Sequence, residues 1–289
     1  MYPFPIGVIL ESFRLERSAA IKQAAVIGAA GIQMYATKGE NAPENLNTAA
    51  RRALLREVKD NGLVFSALCG DLGKGFGDPR LNPELIEKSK RIVDLAKDLE
   101  TDIVTTHIGV VPADPNHDRY KIMQDACFQL ASYADSVGAH FAVETGPETS
   151  ATLKVFLDSL NSTGVAVNLD PANLVMVAGD RPETAVKTLG KYIVHTHAKD
   201  GIKLQRTMAE GVELSPEAKA HNEMMDMGRK YLELPLGQGG VNFDTYLPAL
   251  KETGFDGFLT IEREVGETPE KDIGMAARFL AEKIRQYNL

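Results

Sequence analysis

The sequence predicts an α/β fold, a (β/α)8 TIM barrel in a single domain over residues 1–289. Three observations point there. Short apolar runs alternate with longer amphipathic stretches, and no hairpin signal joins the runs, so the strands are expected to be parallel with crossover helices. Eight such pairs can be traced along the chain, and eight is the number that closes a barrel. The competing architecture, an open doubly wound sheet, usually carries a Gly-rich phosphate turn after its first strand. Here that position reads Leu10-Glu-Ser-Phe-Arg14.

In chain order, strands are predicted at 6–10, 31–35, 64–68, 102–107, 140–144, 165–170, 192–197 and 257–262. Helices are predicted at 15–29, 48–61, 83–99, 118–137, 148–160, 182–189, 243–253 and 269–287. The third helix shows the period well: Leu85, Ile86, Ile92, Val93, Leu95, Ala96 and Leu99 form one apolar stripe among charges. Helix ends are marked by Gly or Asn before the next strand, at Gly31, Asn61-Gly62, Gly138, Gly164, Gly190 and Gly254. Two loops stand out. The Gly-rich stretch 70–79 lacks the Gly-Lys-Ser/Thr of a P-loop and reads as either a surface loop or a flap over the barrel mouth. The long, charged, Met-rich loop at about 199–240 follows the seventh strand, reads as partly helical at 215–231, and serves as a lid or an oligomer contact.

Composition is that of a soluble globular protein, 44% apolar and 25% charged. A net charge of −8 argues against a nucleic-acid partner, which needs a basic face. No apolar run approaches the roughly 20 residues of a membrane span. The N-terminus Met1-Tyr-Pro-Phe-Pro lacks the basic and apolar regions of a signal peptide. Cys69 and Cys127 make no disulfide framework. A cytoplasmic enzyme with reduced thiols is the expectation.

Four polar residues end four of the apolar runs: Glu144, Asp170, His197 and Glu262. These are ligand types for a divalent cation. Side chains alternate along a strand, so Ala142 and Glu144 oppose Phe141 and Val143. Likewise Asn168 and Asp170 oppose Val167 and Leu169, and Thr260 and Glu262 oppose Leu259 and Ile261. The aliphatic side suits the helices, and the polar side faces the barrel axis. Three carboxylates converging at one mouth would repel one another unless a dication lay between them. His195 shares parity with His197 one layer deeper and reads as a hydrogen-bonding group rather than a ligand.

The segments Ala142-Val-Glu144, Asn168-Leu-Asp-Pro-Ala-Asn173, His195-Thr-His-Ala-Lys-Asp200, Pro235-Leu-Gly-Gln-Gly-Gly-Val-Asn-Phe243 and Gly254-Phe-Asp-Gly-Phe-Leu-Thr-Ile-Glu-Arg-Glu264 resemble the xylose-isomerase-like barrels. That superfamily of sugar isomerases and epimerases includes ketose 3-epimerases, hydroxypyruvate isomerases and inosose-processing enzymes. The resemblance spans nearly the whole chain and is strongest from residue 140 onward. It implies that Glu144, Asp170, His197 and Glu262 bind one divalent metal, with Mn2+ first and Mg2+, Co2+ or Zn2+ as alternatives. It also implies a homo-oligomer, dimer or tetramer. The chain departs from the pattern at Asp170-Pro-Ala-Asn173, where some epimerases and the related abasic-site endonucleases resemble Asp-x-x-His. No Asp-x-His pair follows His197, which sets an endonuclease reading aside and leaves Asn173 to hold a substrate hydroxyl.

A metal flanked by two Glu suits proton transfer beside a carbonyl. The expected reaction is isomerisation or epimerisation of a ketose, or ketose phosphate, through a metal-stabilised enediolate, with Glu144 and Glu262 as acid/base pair and ligands. The alternatives are an inosose-type dehydratase on the same site and, further off, a non-catalytic sugar-binding barrel. Substrate-contact candidates are His107 at the end of the fourth strand, Asn173, Glu148, and the pair Lys203 and Arg206, which could hold a sugar hydroxyl or a phosphate. Glu148 could instead favour a helix N-terminus. Glu11 and Glu264 are rim candidates.

Overall fold

Alternation of apolar runs with amphipathic helices does close the sheet. In the computed structural model, which describes residues 4–206 and 215–289, eight parallel strands form a closed barrel. They are β1 (Ile6–Ile9), β2 (Gly31–Tyr35), β3 (Val64–Cys69), β4 (Ile103–Thr106), β5 (His140–Glu144), β6 (Val165–Leu169), β7 (Ile193–Ala198) and β10 (Leu259–Ile261). β10 hydrogen-bonds to both β1 and β7, which is what closes the cylinder.

The outer layer is built by α1 (Arg17–Val26), α2 (Thr48–Asp60), α3 (Asn82–Asp98), α4 (Asp118–Ser136), α5 (Ser150–Leu160), α7 (Pro182–Leu189), α9 (Phe243–Glu252) and α10 (Pro269–Tyr287). Each turns an apolar stripe inward. In α3 that stripe is Leu85, Ile86, Ile92, Val93, Leu95 and Ala96, all buried. Between β6 and α7 lies a further turn, α6 (Pro171–Asn173), continued by a π-turn over 174–178. Among the described residues, no helix is long and apolar enough to cross a membrane.

The strands follow the predicted parity. Phe141, Val143, Val165, Val167, Leu169, Leu259 and Ile261 belong to the apolar core against the helices. The axial side is polar: Asn168, His195 and Thr260 are fully buried there and hydrogen-bond to one another. Gly7 leaves room for them, because a Cβ on it would stand 2.7 Å from Thr260 Oγ1.

Several expectations are corrected. Of the predicted helix-end glycines, Gly62, Gly138 and Gly254 have positive φ, but Gly31 already lies in β2 and the left-handed turn is made by Gly28. Gly164 has a different reason: a Cβ would lie 2.0 Å from the Ala131 carbonyl oxygen, so α4 packs directly on the chain entering β6. The long loop after β7 is not merely partly helical. It contains an antiparallel hairpin, β8 (Asp200–Lys203) with β9 (Tyr231–Leu234), and a shorter helix, α8 (Pro216–Asp226). Residues 207–214 of that loop and residues 1–3 lie outside the described residues.

The Gly-rich loop 70–79 is pinned at both ends. Phe76 is buried, its ring edge-on to Phe141, and its N–H donates to Ile108 O at 2.9 Å. Asp71 accepts from His107 at 3.1 Å. That matches an anchored loop rather than a flap.

Candidate metal centre

Glu144 ends β5, His197 lies within β7, and Asp170 and Glu262 each come one residue after a strand. All four reach the same C-terminal mouth, where one ligand atom from each lies within 4.8 Å of the others. All four are buried.

Local structure fixes each group. Asp170 caps α6: its Oδ1 accepts from Ala172 N at 2.7 Å and Asn173 N at 3.0 Å, helped by Pro171 at the first helical position. That leaves Oδ2 pointing into the cluster without a hydrogen-bond partner. His197 is oriented from behind. Its Nε2 lies 3.2 Å from both Gln33 Oε1 and Asn168 Nδ2, which hold the ring with Nδ1 turned to the carboxylates. Nδ1 stands 3.0 Å from Glu262, 3.4 Å from Glu144 and 3.8 Å from Asp170. Glu144 Oε2 accepts from Asn168 Nδ2 at 3.1 Å. Asn168 is itself held the right way round because its Oδ1 faces His195 Nδ1 at 2.9 Å. Thr260 completes the chain by donating to His195 Nε2 at 2.9 Å. His195 is therefore the buried hydrogen-bonding group expected from its depth. Burial, and then the neighbouring His197, push it far below the usual imidazole range, which keeps it neutral.

The donor set tests well against a dication. Two Glu, one Asp and one His are hard or borderline ligands. Asp170 Oδ2 is buried, accepts no hydrogen bond and has its nearest cations 3.8 and 3.9 Å away, a costly arrangement unless something else satisfies it, whereas Glu262 Oε2 meets His197 Nδ1 at 3.0 Å and Lys199 Nζ at 3.2 Å. Atoms about 2.1 Å from one ion stand at most about 4.2 Å apart, so a small contraction of the cluster seats a cation. The carboxylate charge shapes the neighbours. Burial opposes charge on His197, but Glu144 and Glu262 outweigh it and hold the imidazolium well above its usual range. For Glu262, burial works against ionisation, yet Lys199 and His197 prevail and keep the carboxyl far below the normal carboxylate range.

The structure brings further predicted residues to the mouth. His107 Nε2 stands 3.6 Å from Glu144 Oε1. The Glu144 charge is the main reason the His107 pKa rises to about 9, with Asp71 adding to it. Asn173 Nδ2 donates to Glu144 Oε1 at 3.3 Å and to Thr145 O at 3.2 Å. Glu148 is buried, its Oε2 unpartnered, and burial raises its pKa. Glu11 is part-buried after β1, and burial lifts its pKa to about 7 although Tyr35 N donates to its Oε1 at 3.0 Å. Two predicted contacts are not brought to the cluster. Arg206 is exposed and ion-paired with Asp226. Lys203 lies on the hairpin opposite Tyr231, with an exposed side chain.

One residue escaped the sequence reading. Lys199 is buried, with Nζ 2.6 Å from Glu264, 3.2 Å from Glu262 and 3.9 Å from Asp170. It shares the parity of His195 and His197, so the period-2 rule would have found it. Beside it opens a cavity of about 580 Å³ that runs from Asn173 and Lys199 under the hairpin to Arg229, Lys230 and Tyr231.

The same architecture recurs in known proteins. A solved xylose isomerase domain protein from Planctomyces limnophilus superposes with a TM-score of 0.80 at 22% identity, covering 100% of this chain and 99% of that one. A solved D-tagatose 3-epimerase-like protein gives a TM-score of 0.72 at 17% identity over 98% of each chain. In sequence, uncharacterized protein MJ1311 from Methanocaldococcus jannaschii is 22% identical over 224 residues, 73% of this chain and 67% of that protein. The family model described as xylose isomerase-like TIM barrel matches residues 21–283. From the closure of the barrel and this match, the chain belongs to the xylose isomerase-like TIM barrel family.

Proposed function

We propose that this barrel is a divalent-metal-dependent isomerase or epimerase of ketoses, or of ketose phosphates. The observation that carries the reading is the convergence of Glu144, Asp170, His197 and Glu262, one ligand atom of each within 4.8 Å of the others, with Asp170 Oδ2 accepting no hydrogen bond. Mn2+ is the first choice of ion, ahead of Mg2+, Co2+ and Zn2+. When bound, the dication polarises the substrate carbonyl and its neighbouring hydroxyl and balances negative charge as the intervening C–H proton leaves.

The protein's own groups do the rest. Glu144 and Glu262 come from strands on different sides of the barrel mouth, so they can address opposite faces of a substrate carbon. One removes the proton, and the other returns a proton to the same carbon for epimerisation, or to the adjacent carbon for isomerisation. Asn168 holds Glu144 Oε2, which fixes the carboxylate plane. Asn173 and His107 crowd Glu144 Oε1 and are placed to meet a substrate hydroxyl. Glu148 faces the same region. The enzyme is expected to work as a dimer or tetramer in the cytoplasm.

A second reading, loss of water from a keto-polyol after the same proton abstraction, has one observation behind it. Lys199 places an ammonium group 3.2 Å from Glu262, where a departing hydroxyl can take a proton.

Solvent deuterium exchange tests the reading. The Mn2+-loaded protein should wash deuterium into one carbon of at least one ketose in a panel, and a chelator should stop it. Loss of water from the labelled product would favour the lyase. No exchange into any ketose with any of the four metals would sink both.

A further inference from the structure

We infer that the cavity beneath the β8–β9 hairpin is an anion subsite, so that the substrate is a ketose or polyol whose far end carries a carboxylate or a phosphate. This deepens the sugar reading above and rests on it.

The cavity, about 580 Å³, falls in the range of small-molecule sites. Its inner end meets the candidate metal centre. Asn173 lies there, donating to Glu144 at 3.3 Å, and so does Lys199, 3.2 Å from Glu262. A molecule with its reacting carbons at the cluster therefore extends into this space. The outer wall carries Arg229 and Lys230.

Among the described residues these two cations find no partner, whereas the carboxylates in the lining do. Glu264 is paired with Lys199 at 2.6 Å, and Glu233 with Arg263 at 2.6 Å. Arg229 and Lys230 have no ion pair or side-chain hydrogen bond with any described residue. Two cations without a partner among the described residues line one cavity in a chain of net charge −8.

The backbone beneath them is already set. Gly228 takes φ +79° at the end of α8, a conformation favoured by glycine. Arg229 N then donates to Met224 O at 3.0 Å, and Leu204 N donates to Lys230 O at 2.9 Å. These bonds fix the backbone at both residues, and an Arg side chain offers a planar fork to a carboxylate or phosphate. Met176, Leu232 and Val265 supply apolar wall for the carbon chain between the two ends.

A second cavity, about 460 Å³, flanks Asp71 on another part of the rim and offers Lys74. Among the described residues, none of its lining touches Asp170 or Glu262, so it supplies the control.

Calorimetric titration of the Mn2+-loaded full chain with sorbitol, gluconate and sorbitol 6-phosphate tests the subsite. One of the two anions should bind at least about tenfold tighter than sorbitol. The double variant Arg229→Ala/Lys230→Ala should bring it to the sorbitol level, and Lys74→Ala should leave it unchanged. Which anion gains identifies a carboxylate or a phosphate end. A bound cation can also hold a carboxylate, so the response to the double substitution is decisive. Equal binding of all three, no binding of any, a preference that survives the double substitution, or one abolished by Lys74→Ala would each overturn the subsite. Deuterium exchange into neutral ketoses reports separately on the reaction. Exchange without anion preference removes only the subsite, and anion preference without exchange removes only the isomerase.

Discussion

Asp170 has two oxygens with two different jobs, and the substitution Asp170→Asn separates them. Oδ1 accepts from two backbone N–H groups at the start of α6, while Oδ2 has no hydrogen-bond partner and faces the cluster. Asparagine keeps the capping oxygen and replaces the other with an NH2 group, which cannot ligate a cation. The cap, typically about 1 kcal/mol, is retained. The substituted side chain also removes one of three converging negative charges and can donate to Glu262. Stability without metal should therefore fall by less than about 1 kcal/mol, and can rise. The metal response should behave differently. At a free Mn2+ concentration about 100 times its Kd, a folded protein gains about 2.7 kcal/mol. For a chain of 289 residues that raises Tm by about 4–5 °C. Thermal unfolding with and without Mn2+ should show this rise in the parent protein and most of it lost in Asp170→Asn. Asp170→Ala should lose the rise and additionally about 1 kcal/mol of cap. If Asp170→Asn keeps the full metal shift, or if the parent shows none with millimolar Mn2+, Mg2+, Co2+ or Zn2+, the geometry has been misread.

Three other measurements probe the frame around the site. Burial raises the Glu11 pKa from 4.5 to about 7, so the unfolded chain releases this proton first. The stability this group supports is complete below about pH 4.5, declines as pH rises, and is gone above pH 7, a loss of up to about 3 kcal/mol. Glu11→Gln should flatten that part of the Tm–pH curve in metal-free protein, and an unchanged curve would refute the assignment. Arg263 is the buried partner of Glu233, reaching it at 2.6 Å and Asp272 at 2.9 Å. Arg263→Met strands a buried carboxylate and should cost about 3–5 kcal/mol in denaturant unfolding, largely restored by adding Glu233→Gln. Gly164→Ala would put a Cβ 2.0 Å from the Ala131 carbonyl oxygen and 2.5 Å from Asp135 N. Backbone on both sides leaves little room to yield, so a loss of at least about 3 kcal/mol is expected; a near-neutral result would mean α4 shifts freely.

Much of this was legible along the chain. Periodicity located the eight barrel strands, the alternation at Phe141–Glu144, Ala166–Asp170 and Leu259–Glu262 named three of the four side chains that meet, and the end of the seventh apolar run named the fourth, His197. That works because parity is a local property of extended chain, and barrel closure turns equal parity on different strands into proximity. The Asn168–His195–Thr260 chain was half visible, since each residue had axial parity, but which atoms pair depends on strand stagger.

What the sequence by itself determined was the kind of fold and the identity of the converging side chains, because strand period and residue chemistry are written locally. Only the tertiary structure decided that Arg206 turns away to Asp226 while Lys199 enters the cluster, and that the loop after β7 folds back as a hairpin over a cavity. Those outcomes depend on contacts between segments far apart in the chain. Asp200 shows why: its carboxylate gathers the N–H groups of Gly237, Gly239 and Val241, and no local pattern announces a bond across some forty residues.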